Sequence, residues 1–158
     1  MQLEYFRLID RIVAIDTGAR TIKAEANVPT ESKIFEGHFP GYPLMPGVLL
    51  METMAQASGW LIIGLTRFSG MPLLAAFKEA KLRSFITPGT PLIVNATLQH
   101  EGSGFAVTQA EIKRENDRLV CNAEITFRLV PFPNQEFLDN LKEVAASIAL
   151  PMESPADG

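Results

Sequence analysis

Two ionisable residues, His38 and Glu52, stand out as candidates for proton transfer. Glu52 is the only acidic or basic residue between His38 and Arg67. A neutral imidazole can accept a proton near neutral pH, because the ordinary pKa of histidine lies there. A carboxyl group whose pKa is raised by burial can keep a proton and deliver it to a leaving group. The two side chains are therefore a candidate general base and a candidate general acid.

Each of these residues also has an ordinary structural interpretation. A carboxylate near the start of a helix can be stabilised by the helix dipole alone. A single histidine in a loop is more often structural than catalytic. Their joint placement, on a rigid loop and on the helix that follows it, favours the catalytic interpretation.

The loop before the helix would fix the position of His38. Glycine and proline are dense in it, which sets the backbone through turns instead of regular hydrogen bonding. These residues are Gly37, Pro40, Gly41, Pro43, Pro46 and Gly47.

A helix is predicted from Gly47 to Leu65, where proline is absent. Apolar residues occur on all its sides, which is typical of a helix that is buried all round. At about 100° per residue, Glu52, Gln56 and Gly59 fall on one stripe. An unpaired carboxylate in such surroundings either costs several kcal/mol or has a raised pKa.

The rest of the chain predicts an antiparallel sheet. Residues 6–15 and 21–28 alternate around a turn and predict a hairpin. A short extended run is expected at residues 73–77, and residues 91–99, 105–114 and 118–130 alternate as a meander. One helix with about five or six strands indicates an α+β domain.

The C-terminal region predicts a second helix. Pro131 and Pro133 end the last strand, Asn134 can cap, and apolar residues then recur at helical spacing over about residues 135–149. We expect one domain over residues 1–130, a helical extension over 131–150 and a disordered tail over 151–158.

Composition excludes several classes of function. The chain has 158 residues, 47% hydrophobic and 20% charged, and a net charge of −4, which argues against nonspecific nucleic-acid binding. The apolar runs are shorter than a membrane span, so we expect a cytoplasmic protein without membrane insertion. Cys121 is the single cysteine and lies among alternating strand residues, so it is expected to be a buried, reduced thiol. His100 is expected to be a surface residue, because no second histidine or cysteine lies at metal-ligand spacing.

The run from Gly37 to Ala57, GHFPGYPLMPGVLLMETMAQA, resembles the signature of the 3-hydroxyacyl-acyl-carrier-protein dehydratases of the FabZ type. The match includes the histidine, its spacing to the glutamate, and every glycine and proline between them. Weaker similarity is present at residues 8–12, 80–83 and 88–89. The resemblance covers roughly residues 5–130.

The resemblance implies a hotdog fold, in which an antiparallel sheet wraps a long central helix. The buried helix predicted above agrees with it. In the family, subunits pair with their sheets edge to edge, and each active site takes its histidine from one chain and its acid from the other. We therefore expect a homodimer, with a trimer of dimers as the larger assembly.

The implied reaction removes water from a 3-hydroxyacyl thioester carried by acyl carrier protein, without a metal or bound cofactor. His38 would take a proton next to the carbonyl, and Glu52 would protonate the departing hydroxyl. The Gly47 N–H, at the start of a helix, would polarise the thioester oxygen. By resemblance, the Leu44 carbonyl would hold the other imidazole nitrogen and Gln56 would support Glu52.

Other residues bear on partners and specificity. Lys81 and Arg83 are candidates for docking the acidic carrier protein, although lysines on a strand edge also serve to discourage aggregation. Tyr42 is a candidate substrate-binding residue and stands where the family commonly has a basic one. With the extra C-terminal helix, it suggests specialisation for unusual acyl lengths, including very long hydroxy acids.

Three alternatives remain open from the sequence. A hotdog thioesterase would use a carboxylate to activate water, and the spacing from His38 to Glu52 fits dehydration better. A related dehydratase-isomerase usually carries aspartate at the second position. The third is a hotdog protein without catalytic activity that only binds acyl chains or a partner.

Overall fold

The computed structural model describes residues 1–152 of the chain. Three α-helices and six strands follow one short 3₁₀ helix, Leu3–Tyr5. The helices are α1 (Lys33–Gly37), α2 (Gly47–Thr66) and α3 (Gln135–Ser147). The strands are β1 (Arg11–Asp16), β2 (Thr21–Glu25), β3 (Met71–Leu82), β4 (Leu92–Gly102), β5 (Phe105–Arg114) and β6 (Leu119–Val130).

The six strands form one antiparallel sheet in the order β1-β2-β4-β5-β6-β3. The predicted hairpin and the predicted meander are both present. The meander strands have bounds close to those expected, whereas the first hairpin strand begins at Arg11 and not at residue 6. The short extended run expected at residues 73–77 is longer than predicted. It belongs to β3, whose 12 residues pair with β6 along most of their length. The strands β1 and β3 are the two edges of the sheet.

Helix α2 lies against this sheet and forms the centre of the core. It packs against β2, β3, β4, β5 and β6, and Met54, Ala57, Leu61 and Ile62 are fully buried. Its length and hydropathy also satisfy the criteria for a membrane span, but burial within a sheet accounts for an apolar helix equally well. The predicted long central helix is thus confirmed, and the fold is an α+β hotdog.

Small residues bring α2 close to the sheet at its middle. Ser58 and Thr108 are fully buried, and the Thr108 hydroxyl donates a hydrogen bond of 2.8 Å to Ser58 Oγ. The bond joins α2 to β5 within an apolar core. Because each hydroxyl would cost free energy if it were buried without a partner, the pair fixes the position of the helix along the sheet.

The C-terminal helix expected from the sequence is present as α3. Asn134 caps it, accepting a hydrogen bond of 2.8 Å from the Phe137 N–H. Its end is fixed to the sheet, since the Ile12 N–H donates to the Ile148 carbonyl at 2.7 Å. The predicted disordered tail begins at residue 151, and residues 153–158 of it lie outside the described part of the chain. The division into a 1–130 domain and an extension stays a prediction.

Replacing Thr108 with valine should destabilise the protein by about 1–3 kcal/mol, because Ser58 loses its buried partner. The double change Ser58→Ala with Thr108→Val should cost less than the sum of the two single changes, since it removes both polar groups together. Urea unfolding of the four proteins measures this coupling. Strictly additive losses would show that the hydrogen bond does not link α2 to β5 energetically.

Candidate active site

His38 is held at the end of helix α1 by two hydrogen bonds to Leu44. The imidazole Nδ1 lies 2.9 Å from the Leu44 carbonyl, and the Leu44 N–H donates to the His38 carbonyl at 2.8 Å. A carbonyl only accepts, so Nδ1 carries the proton and Nε2 has a free lone pair. The side chain is therefore in the tautomer that a general base requires.

The loop that contains His38 is tied down at both ends. Ser32 caps α1 through its hydroxyl, which accepts from the Ile34 N–H at 3.1 Å. At the other end, the Met45 N–H donates to the Ile86 carbonyl at 2.7 Å, and Pro46 is the N-cap of α2. These contacts hold the imidazole near the start of α2.

Gly47 begins α2 at a point where the helix meets β3. A Cβ atom at this position would lie 2.6 Å from Leu82 Cδ1, so the glycine permits the close approach. The first N–H groups of a helix have no partner within it and lie at the positive end of its dipole. An oxygen with developing negative charge would be stabilised there.

His38 and Gly47 line one cavity of about 660 Å³. Leu44, Leu50 and Leu82 contribute apolar surface to it, and three arginines stand around it: Arg83, Arg114 and Arg118. The cavity therefore combines a base, a helix N-terminus and positive charge, an arrangement suited to an anionic or polar acyl derivative.

Glu52 lies on α2 and is held by Gln56. The Gln56 amide donates to Glu52 Oε1 at 3.2 Å and to the Phe6 carbonyl at 2.8 Å, while its oxygen accepts from the Leu8 N–H at 3.0 Å. The N-terminal segment thus orients Gln56, which in turn orients the carboxyl. The predicted stripe of Glu52, Gln56 and Gly59 lies along one cavity.

Partial burial raises the pKa of the Glu52 carboxyl above its ordinary value of 4.5. The hydrogen bond from Gln56 lowers the pKa and offsets part of this effect. Desolvation is the larger cause, because the cavity beside Glu52 is lined mainly by apolar side chains. The direction of the shift is the one that a general acid needs.

The cavity beside Glu52 has a volume of about 360 Å³ and does not include His38 among its lining residues. The structure therefore places the two candidate groups in different cavities of one chain. Both cavities border β3: Leu82 lines the His38 cavity, and residues 71–74 line the Glu52 cavity. The two cavities lie at opposite ends of this edge strand.

The sequence matches a family model over residues 1–124, described as a FabA-like domain. The chain belongs to this family. A curated 3-hydroxyacyl-[acyl-carrier-protein] dehydratase FabZ from Lactobacillus helveticus is 35% identical over 129 residues, which cover 81% of this chain and 85% of the relative. A protein of the same name from Chlamydia pneumoniae is 38% identical over 131 residues, covering 79% of this chain and 83% of the relative.

Solved structures show the same fold at low identity. A hypothetical thioesterase from Streptococcus pneumoniae, solved with coenzyme A, matches with a TM-score of 0.59 at 14% identity and covers 78% of this chain and 88% of its own. A variant of a hypothetical protein from Staphylococcus aureus matches with a TM-score of 0.64 at 16% identity, covering 84% and 100%. At these identities the likeness concerns the fold alone.

The other residues singled out from the sequence of this FabA-like protein lie at different distances from the two cavities. Tyr42 is 65% exposed and does not line either of them. Lys81 is exposed on β3 and also lies outside both linings. Arg83 does line the His38 cavity, where its Nε donates to Asn122 Oδ1 at 3.2 Å.

Sequence reasoning missed Arg114 and Arg118, which stand beside Arg83 at the His38 cavity. The two arginines flank the turn between β5 and β6, far from His38 along the chain. Nothing in their local sequence distinguishes them from solvent-exposed residues of a turn. Only the packing of the meander beside the β3 end shows that they contribute to the site.

No group of three or more histidine, cysteine, aspartate or glutamate residues is placed to hold a metal ion within residues 1–152. Cys121 is buried beside Met54, with 3.9 Å between the sulfur atoms, and burial raises the pKa of its thiol to about 12. A thiol with such a pKa is protonated at neutral pH and is a poor nucleophile. This agrees with a structural cysteine.

Glu52→Gln should raise the melting temperature at about pH 8, and the gain should vanish near pH 4. Above the ordinary carboxyl pKa and below the raised one, the folded state binds more protons than the unfolded state. The stability that the protonated Glu52 carboxyl contributes is therefore lost as pH rises. Glutamine does not ionise and so avoids that loss. Melting curves across this range, with Glu143→Gln as a control for the loss of one exposed charge, provide the test. A gain that does not depend on pH would contradict the raised pKa.

Proposed function

We propose that this FabA-like protein is a 3-hydroxyacyl-[acyl-carrier-protein] dehydratase, a lyase that forms the trans-2-enoyl thioester. The observation that carries the proposal is the hydrogen bonding of His38 together with the raised pKa of Glu52. Hydrogen bonding to Leu44 leaves Nε2 of His38 free to accept a proton, and burial raises the pKa of Glu52. The curated relatives with this name supply the substrate class.

The proposed reaction needs one base, one acid and one oxyanion donor. His38 Nε2 takes the proton from C2, and the electron pair of that C–H bond becomes the C2–C3 double bond. The C3–O bond breaks as Glu52 protonates the departing hydroxyl, and water leaves. The Gly47 N–H stabilises the charge that develops on the thioester oxygen. This balance of atoms and electrons calls for no metal, redox partner or bound cofactor.

The geometry of β3 supports an active site shared by two chains. In an antiparallel pair of β3 strands related by a two-fold axis, the Met71 end of one strand lies beside the Leu82 end of the other. The Glu52 cavity of one chain would then adjoin the His38 cavity of its partner. Two such sites would form in each homodimer.

Exposed apolar residues beside the two cavities also support pairing. Phe85 is 78% exposed, Val48 71% and Phe39 50% near His38, while Phe6 is 55% exposed beside Glu52. Large apolar side chains gathered at a functional surface are typical of a protein interface. The homodimer buries these side chains in this proposal, and the trimer of dimers implied by the resemblance stays a prediction.

The partner in this proposal is acyl carrier protein, which is acidic and presents the substrate on its phosphopantetheine arm. Arg83, Arg114 and Arg118 place positive charge around the His38 cavity of a protein whose net charge is −4. Such local complementarity speeds and orients docking of an acidic partner. A cytoplasmic location, without nucleic-acid binding or membrane insertion, belongs to the same proposal.

The direct test is incubation with crotonyl-acyl carrier protein, in which the reverse reaction adds water and the enoyl absorbance falls. Free thiol measured in the same sample separates hydration from hydrolysis. Loss of absorbance without thiol release supports the dehydratase. Thiol release without hydration would instead show a thioesterase.

His38→Ala and Glu52→Gln should each lower turnover at least about a hundredfold, because each removes a positioned acid or base. His100→Ala and Glu143→Gln are matched controls outside both cavities and should keep nearly full turnover. Circular dichroism checks that each variant is folded. Near-normal turnover in the His38 or Glu52 variant would show that the residue is structural and not catalytic.

A mixed dimer of the two inactive variants tests whether the site is shared. One of its two sites would keep both intact residues, so co-expressed chains with different tags should give about half of the wild-type activity. If each chain forms its own complete site, the purified mixed dimer stays as inactive as either parent. The assay is again hydration of the enoyl substrate.

Charge reversal at Lys81 and Arg83 to glutamate should raise the apparent KM for carrier-bound substrate and spare small soluble thioesters, because only the carrier is acidic. Each reversal is also made singly, and Lys23→Glu on β2 is the control, because it changes the net charge by the same amount as either single reversal and lines neither cavity. Arg83→Glu should have the larger effect, because Arg83 lines the cavity. Equal losses of kcat/KM on both substrates would show that these residues act in folding or in the site itself.

A further inference from the structure

Helix α3 forms one wall of the cavity that contains Glu52. Phe137, Leu141, Val144 and Ile148 line it opposite residues of α2 and β3. The FabA-like match ends at residue 124, before α3 begins. This wall is therefore an addition to the part of the chain that matches the family model.

The C-terminal end of α3 is anchored to the sheet. Ala145 is fully buried, and the Ile148 carbonyl accepts from the Ile12 N–H. Leu141 and Val144 are partly buried against the core and also line the cavity. Phe137 is 40% exposed, and its ring centroid lies 6.2 Å from that of Phe132. The helix is thus fixed at one end, while its apolar side chains border the cavity.

The cavity extends along α2 from Glu52. Its lining follows the helix from Glu52 through Gly59 to Ile63, a distance of about 16 Å at the rise of an α-helix. Beyond the carboxyl and Gln56, the lining along α2 is glycine or apolar. A mainly apolar cavity with an acid at one end of its wall along α2 fits a linear hydrocarbon whose reacting carbon lies at that acid.

We propose that α3 selects the acyl-chain length of the substrate, with Phe137, Leu141 and Val144 setting how much hydrocarbon the cavity accepts. The inference rests on the proposed function, since it takes the carbon that bears the departing hydroxyl to lie at Glu52. The rest of the acyl chain then runs along α2 beneath α3. Each further methylene that is buried there improves kcat/KM about fourfold until the cavity is full.

The occupant is the substrate and not a segment of a partner chain, because Glu52 opens into this cavity. A protein side chain that filled the cavity would cover the carboxyl and exclude the hydroxyl group that it must protonate. An acyl chain, in contrast, lies along the same apolar surface with its reacting end at the carboxyl. It leaves the cavity when the product is released.

Leu141→Trp tests the proposal by filling the cavity, and Asn140→Trp is the matched control. Asn140 is exposed, is the preceding residue of the same helix, and is not among the lining residues. We expect Leu141→Trp to lower kcat/KM for the dodecenoyl substrate at least about tenfold more than for crotonyl-acyl carrier protein, the difference expected when two or more methylenes are excluded. The control should keep the wild-type profile.

Phe137→Ala tests the opposite direction by enlarging the cavity. Its profile across a series of enoyl substrates, measured as kcat/KM relative to that for the crotonyl substrate, should shift to longer chains. An unchanged length profile in both variants, or an equal loss at every length, overturns the proposal. A change in oligomeric mass without a change of profile would also overturn it, since a partner chain would then occupy the cavity.

The crotonyl substrate separates this inference from the function on which it rests. A wild-type protein that does not hydrate crotonyl-acyl carrier protein, or any longer enoyl substrate, contradicts the proposed function itself. A wild-type protein that is active, with variants whose chain-length profile does not move, contradicts only the role of α3.

Discussion

The packing of α2 against the sheet is the constraint from which the other features follow. An apolar helix of 20 residues must be covered on most of its surface, and small residues allow the sheet to approach it closely. The buried pair of Ser58 and Thr108 fixes the helix along the sheet. Gly47 lets the start of the helix contact Leu82 on β3. Once these contacts are made, the stripe with Glu52, Gln56 and Gly59 faces one cavity, and the start of the helix faces the other.

That stripe carries Glu52, and its position explains the electrostatics of the carboxyl. The surrounding side chains are mainly apolar, so the ionised form loses hydration and the pKa rises. Gln56 is fixed by backbone groups of Phe6 and Leu8, and it orients the carboxyl without neutralising this effect. The same packing that stabilises the core therefore raises the pKa of the Glu52 carboxyl.

Strand β3 relates the two halves of the candidate site. It is an edge strand, the His38 cavity borders its Leu82 end, and the Glu52 cavity borders its Met71 end. An edge strand offers unpaired backbone groups to a second copy, and antiparallel pairing reverses the two ends. Pairing through β3 would thus complete two sites at once. Helix α3 lines the Glu52 cavity, and none of its residues lines the His38 cavity.

The sequence by itself determined the features that depend on local patterns. A run of residues that is apolar on all sides and lacks proline predicted α2 within one residue of its end. Period-two alternation predicted the meander, and Asn134 predicted the start of α3. The resemblance also implied the contact of His38 with Leu44 and that of Glu52 with Gln56, and both are present. These contacts lie within one loop or one helical turn, so the motif alone fixes them.

The tertiary structure decided what depends on contacts between distant segments. The run at residues 73–77 extends into the full β3 because β6 supplies its hydrogen bonds. The short helix α1 was not predicted, since Ser32 caps a segment that has little apolar periodicity. Arg114 and Arg118 reach the His38 cavity only because the meander folds back beside β3. His38 and Glu52 are close in sequence but line separate cavities. The His38 loop and the start of α2 lie at the Leu82 end of β3, whereas the stripe of α2 that carries Glu52 faces the Met71 end. No local pattern records which end a side chain will face.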